Sequence, residues 1–254
     1  MGFFIVVVVA IVAFGAYWWW SHQKTEEAFQ TLLTRDGLQP TSQPCGLSDG
    51  LLVMLRACPK GDRRYGLKHG VTGRVTATVA GAAREVDCAA FVWWWEERQT
   101  STDGKGHTTT SYSKRDRVVG AIALPTEVPS VSIAPEGLLT KFGIGGRGDF
   151  QLESEEFNRR FDVRVQDRDR ALAIRLFDAQ FQRFLLEMFR GRSIELFGRV
   201  LLVAGDPAGE DSALFGDIKE LPGARRDASL VASRLPESFW RGLTSDPGSS
   251  GGVA

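Results

Sequence analysis

Residues Arg84–Arg98 read REVDCAAFVWWWEER, and Tyr112–Leu124 read YSKRDRVVGAIAL. Each is an apolar run rich in Val, Trp, Phe or Ile with charged flanks, as strands are. The segment between them, Gln99–Ser111 (QTSTDGKGHTTTS), is polar and contains Gly104 and Gly106. Together they read as a long antiparallel hairpin with a mobile tip. In a strand Trp93 and Trp95 face one way and Trp94 the other. Burial in a core suits such large side chains, with a ligand platform or a membrane-dipping edge as alternatives. Trp93 and Trp95, with Lys105 and His107 at the tip, are the candidate interaction residues.

Upstream, Val71–Val79 (VTGRVTATV) alternates with period two, and Gly50–Ala57 is a short apolar run read with the β structure. Downstream, Ser130–Ala134 follows prolines at 125 and 129 as a further strand. Leu152–Asp167 (LESEEFNRRFDVRVQD) combines Glu153, Glu155 and Glu156 with Arg159 and Arg160. A divalent-ion site would need further ligands, which the stretch lacks. The spacing predicts a short helix N-capped at Ser154, with Phe157 and Phe161 buried and i, i+4 ion pairs outside, then a strand over Asp162–Gln166. Asp169–Arg190 carries a wide apolar stripe and is predicted as the longest helix of the folded domain, ended by Gly191. Ser193–Ala204 reads as a strand pair bent at Gly198. Phe215–Leu221 and Asp227–Leu235 read as amphipathic pieces, and residues 244–254 as a disordered tail. The fold class is therefore α+β: a mainly antiparallel β domain with a long hairpin and one long packing helix, preceded by a transmembrane helix.

That N-terminal helix is Phe3–Trp20, FFIVVVVAIVAFGAYWWW, 18 residues without a charge. At about 1.5 Å per residue it spans roughly 27 Å, close to the roughly 30 Å of a hydrocarbon core. A cleavable signal peptide would need a basic start and a small-residue cleavage site, where this chain has Met1-Gly2 and then Tyr17, Trp18, Trp19 and Trp20. Aromatic rings favour the headgroup zone, so residues 1–21 read as a retained anchor, contacting lipid through Phe3 and Trp18–Trp20. Lys24 and Arg35 in the following flank favour a cytoplasmic folded domain at the cell membrane. Residues 22–46 read as stalk and linker: a helical stripe with Ala28, Phe29, Leu32 and Leu33, then GLQPTSQPCG from Gly37. Residues 47–243 are the expected soluble domain.

With 43% hydrophobic residues, wholesale disorder is excluded. The 31 Lys and Arg balance 31 Asp and Glu, which removes the basic field expected of a nucleic-acid binder. Arg63, Arg64, Lys68 and Arg74 suggest contact with anionic lipid, but four basic residues over twelve positions usually form a solvated face. Cys45, Cys58 and Cys88 show no CxxC and suit a reducing compartment as buried apolar residues, with a Cys45–Cys58 disulfide as the rival in an exported domain. Gly143, Gly145 and Gly148 formally match GxGxxG. A helical turn precedes them and an acidic extended segment follows, so they read as a flexible turn, a point of subdivision near 143–150, and not as a dinucleotide site. The overlapping Arg147-Gly148-Asp149 tripeptide has no adhesive context.

The order of parts, and in particular Glu153-Ser154-Glu155-Glu156-Phe157-Asn158-Arg159-Arg160-Phe161, resembles a family of bacterial single-pass membrane proteins with no assigned activity. The resemblance covers about Leu51 to Leu201. It implies an anchor, a β-rich region with a long hairpin, then a strand, a helix and a closing β unit, and it implies no catalytic residue or cofactor.

His22, His69 and His107 are dispersed in sequence, and neither HExxH, GxSxG nor a P-loop occurs. No catalytic, cofactor or metal residue is assigned. The expectation is a membrane-anchored, non-enzymatic module whose hairpin binds another protein, and the alternative is a membrane-bound hydrolase or transferase with a dispersed site.

Overall fold

The structure, a computed structural model, describes residues 2–135, 150–205 and 216–245, and the side chains of all these except 2–11, 18, 216, 217, 244 and 245. Its centre is the hairpin of β3 (Ala82–Thr102) and β4 (Thr108–Pro135). Pairing runs without a break from Cys88↔Ile122 to Thr102↔Thr108. The expected 13-residue loop is therefore a five-residue turn, with Gln99–Thr102 and Thr108–Ser111 inside the ladder. β-branched threonines favour extended backbone and pair across strands, as Thr102 and Thr108 do at 3.3 Å. On the other side β3 pairs with β2 (Tyr65–Val79) through a tight turn, with Ala80 and Gly81 both at left-handed φ, +53° and +76°.

The described strands form one antiparallel sheet completed by β1 (Gln39–Pro40) on β2, and by β5 (Phe161–Val165) and β6 (Ser193–Ala204), both on β4. Alternation along β3 gives the sheet two apolar faces. Cys88, Ala90 and Val92 point to one, and Ala89, Phe91, Trp93 and Trp95 to the other.

Both β4 and β6 switch parity partway. Ile122 and Leu124 share a core with Val131 and Ile133, while Leu201 and Val203 share it with Ile194 and Leu196. The switch falls where the β4–β6 register shifts between Ala123 and Val131, at Gly198 with φ +55°. Pro125 and Pro129 lie in this irregular stretch, where a missing N–H costs the ladder little. The Arg199 guanidinium donates to the Leu124 and Pro125 carbonyls beside it. Ser193–Ala204 is thus one bulged strand and not a strand pair.

The first face is covered by helices. α1 (Gly2–Asp36) is a single continuous helix that ends at Gly37, φ +60°. Its C-terminal half buries Phe29, Leu32 and Leu33, followed by Leu38, against Val71, Ala90, Val92 and Val118 of the sheet and Ile218 and Leu221 of a later helix. The expected stalk and linker therefore join the core, and Gln39–Pro40 adds an edge strand. Among the described residues no helix is long and apolar enough to cross a membrane.

The second face is covered by residues 44–61. Asp49–Leu52 forms a short helix, α2, so Gly50–Ala57 is not a strand; Leu52, Leu55, Ala57 and Cys58 instead face Phe91, Trp93 and Trp95. α3 (Glu155–Arg160) has the expected Ser154 cap, with Ser154 Oγ accepting from the Phe157 amide at 3.3 Å. Phe157 and Phe161 are buried as the spacing requires.

The expected 169–190 helix is broken into α4 (Arg170–Leu176) and α5 (Ala179–Met188), because the Asp178 carboxylate accepts from the Phe181 amide at 2.8 Å and starts a new helix. The two amphipathic pieces after residue 215 are one helix, α6 (Gly216–Arg234), which contains Pro222. α7 (Glu237–Ser245) follows, and it includes the first two residues of the expected tail; 246–254 lie outside the described residues.

Candidate functional site

At the end of β4 away from the hairpin tip, Ser132 pairs with Arg164 of β5 on one side and with Glu195 of β6 on the other. Strand alternation sends Val131 and Ile133 into the helix-covered core and leaves Ser132, Asp162, Arg164 and Glu195 on the opposite face. Residues 54–57 close over them. The result is a cleft of about 310 Å³ lined by Met54, Arg56, Ser130, Ser132, Arg164 and Gln166, with Glu195 at its base.

Glu195 is 8% exposed. Its Oε1 accepts from the Arg56 amide at 3.1 Å and its Oε2 from the Ala57 amide at 2.9 Å. Burial raises its pKa above the usual carboxylate value, although those two hydrogen bonds and the charges of Arg56 and Arg117 oppose the shift. Burial, aided by Arg164, lowers the pKa of the Arg56 guanidinium, while Glu195 and Asp162 act against it. Asp162 Oδ2 accepts from Arg164 Nε at 3.2 Å. Among the described residues, Asp162 Oδ1 and Arg56 Nη1 are both buried without a hydrogen-bond partner. Two carboxylates thus offset two guanidiniums. Because both Glu195 oxygens are committed to amides, the groups that face the cleft are chiefly donors: the guanidiniums of Arg56 and Arg164 and the hydroxyls of Ser130 and Ser132. Such a set fits a carboxylate or phosphate oxygen.

The candidate residues named from the sequence lie elsewhere. Trp93 and Trp95 are buried, with Trp93 Nε1 donating to the Pro59 carbonyl at 2.9 Å and Trp95 Nε1 to Glu97 Oε1 at 3.0 Å. Packing against Phe91, Leu52 and Leu55 is what these two rings do, and neither reaches the surface as a platform. Trp94 is half-buried on the other face beneath Lys114, whose Nζ lies 5.1 Å from the ring centroid.

Lys105 and His107 are exposed in the tip turn, where Asp103 Oδ1 accepts from both of their amides and Oδ2 lies 3.2 Å from His107 Nδ1. Trp19 and Trp20 are exposed on α1. The side chains of Phe3 and Trp18, and the whole of Gly143–Asp149, lie outside the described residues.

The acidic stretch at Glu153–Glu156 is a helix start, with Glu156 and Arg160 4.0 Å apart and Asn158 bonded to both the amide and the carbonyl of Leu152. Among the described residues no three His, Cys, Asp or Glu converge as metal ligands. The thiols of Cys45, Cys58 and Cys88 are free. Burial pushes the Cys45 thiol up to about 12 and that of Cys58 well above its usual value. Cys88 Sγ lies 3.2 Å from Arg225 Nη2.

The histidines, dispersed in sequence, are partly regrouped by the fold. His69, at a left-handed φ of +50° in a bulge of β2, packs against Phe29 of α1 with ring centroids 5.3 Å apart and planes tilted by 57°. Its pKa is lowered, first by burial and then by Lys68, with His22 among the smaller influences. None of the three lines the cleft.

Arg56, Asp162, Arg164 and Glu195 escaped the reading of motifs because Glu195 stands 139 positions from Arg56. One signal was present. FDVRV and SIEL each place charge between apolar residues in strands that the sheet buries on both faces. No known protein family, no curated protein and no solved structure matches the chain.

Proposed function

We propose that the chain is a single-pass, membrane-anchored α+β module that binds a protein partner, with its folded domain on the cytoplasmic side. The observation that carries this reading is the division of α1. One half is locked into the core by Phe29, Leu32 and Leu33. The other half leaves the sheet with Val12, Phe14, Tyr17, Trp19 and Trp20 each more than half exposed. An apolar helix surface of that extent requires a cover, and an uncharged run of 18 residues matches a bilayer in length. Lys24 and Arg35 favour the cytoplasmic side. Expressed in bacteria, the chain should resist carbonate extraction, and deletion of residues 2–20 should release it. A full-length chain that carbonate strips from the membrane would overturn the reading.

The partner-binding surface in this reading is the Arg56–Arg164 cleft, which presents donors to an acidic segment. A hydrolase or transferase would also use this cleft. The commitment of both Glu195 oxygens to amides favours binding over acid–base chemistry. In-cell crosslinking of wild type and R164A should show the loss of a partner from the variant, and an unchanged partner set would count against the cleft.

A further inference from the structure

We infer that the hairpin end of the domain is its membrane-facing end, and that it rests on the headgroups of anionic lipids. The inference depends on the anchor proposed above. The direction of α1 sets the orientation. Leu38 packs on Gly73, where an added Cβ would meet Leu38 Cδ2 at 2.7 Å. Phe29 packs against His69, and Glu26 and His22 influence the same imidazole. Read backwards from Leu38 to His22, the helix advances along β2 from Gly73 toward Tyr65, which pairs with Trp95. The hairpin projects from that end of the sheet. Its seven pairs from Glu96↔Lys114 to Thr102↔Thr108 extend roughly 23 Å at about 3.3 Å per residue. Phe29 and Trp20 are only roughly 14 Å apart along α1. The four residues from His69 to Tyr65 already cover roughly 13 Å. The base of the hairpin, where Arg64 bonds to Glu96, therefore lies level with the Trp18–Trp20 belt and the tip extends beyond it.

Charge at this end suits that neighbour. Residues 60–68 and 96–116 together hold eight Lys and Arg against five Asp and Glu, a surplus of three in a chain whose total is zero. Four of the five acids have partners, and only Asp116 is buried. Asp116 is buried against Lys68 at 2.9 Å, Glu97 faces Arg115 at 3.4 Å, Asp62 accepts from the Arg98 amide, and Asp103 is occupied by the tip amides. Lys60, Arg63, Arg64, Lys105 and Lys114 are exposed. Arg63 and Arg64 thus belong to a larger basic end that the sequence does not show, whereas Arg74 stands apart, paired with Glu85 and Asp87. Basic side chains beside an anchor gain from the negative potential of the inner leaflet.

The test uses the full chain in vesicles of phosphatidylcholine with or without phosphatidylglycerol, carrying photoreactive benzoylphenylalanine in place of Lys105 or, at the opposite end, of exposed Gln166. With phosphatidylglycerol present, lipid adduct from position 105 should exceed that from 166 by at least about fivefold, and R63E/R64E should remove most of the difference. Equal yields, a higher yield at 166, or a yield indifferent to anionic lipid and to charge reversal, all in carbonate-resistant chain, would overturn the orientation and leave the anchor standing. Chain stripped by carbonate would overturn the anchor and the orientation with it.

Discussion

Glu195 shows how one side chain can fix a loop and burden the fold at the same time. Its carboxylate is the acceptor for the Arg56 and Ala57 amides, which otherwise would be buried without a partner. E195A should therefore cost about 2 kcal/mol or more in chemical denaturation, the penalty of orphaned donors. Glu195 also carries a raised pKa because burial disfavours its charge. A carboxyl with a raised folded-state pKa binds more protons folded than unfolded between the two values, so its contribution falls as pH rises through that window, upward from the ordinary 4.5. E195Q keeps one acceptor and has no charge to bury. Its stability relative to wild type should improve as pH rises from about 4.5 in thermal unfolding. A difference that stays constant or moves the other way would mean that the amides and Arg56 outweigh burial.

At the scale of elements, local signals were legible and the signals that depend on partners were not. The hairpin was readable from alternation and the α3 cap from Ser154, because each is written within a few residues. The tip is not legible, since a polar threonine-rich stretch reads as loop until its partner strand is known. The bulge defeated periodicity: parity changes at Gly198 because β4 is irregular opposite it, which no reading of Ser193–Ala204 alone could supply. The break at Asp178 was present as a capping residue but was overruled by a stripe that continues across it. The cleft is out of reach for the same reason as the bulge, since Arg164 and Glu195 meet only through Ser132 of β4 and Arg56 reaches Glu195 only by a contact 139 residues away in sequence. Packing between elements is as demanding at Gly120 of β4, where an added Cβ would lie 2.0 Å from the Ala224 carbonyl oxygen of α6. G120A should push α6 from the sheet and cost about 2–4 kcal/mol, seen as a lower urea midpoint. A midpoint within error of wild type would mean that α6 shifts freely on this face.

For the whole molecule, the question is where the folded unit begins. A boundary near Leu47 follows from the Pro- and Gly-containing segment before it, yet Phe29, Leu32, Leu33 and Leu38 are each under 9% exposed and share a core with Val71, Val92 and Leu221. Each such side chain contributes about 1.5–3 kcal/mol on burial, so the four together approach the roughly 5–15 kcal/mol of net stability that a domain has. Two truncations separate the roles of the halves of α1. Removal of residues 2–20 takes away exposed surface and should leave the urea midpoint of the detergent-free domain within about 0.5 kcal/mol of the full chain in detergent. Removal of 2–38 uncovers Val71, Ala90, Val92 and Val118 and should leave a protein that is largely unfolded or aggregated, measured by circular dichroism and sedimentation. If the second truncation is as stable as the first, α1 is a separable stalk, and the rigid link between anchor and sheet, on which the membrane-facing hairpin depends, does not exist.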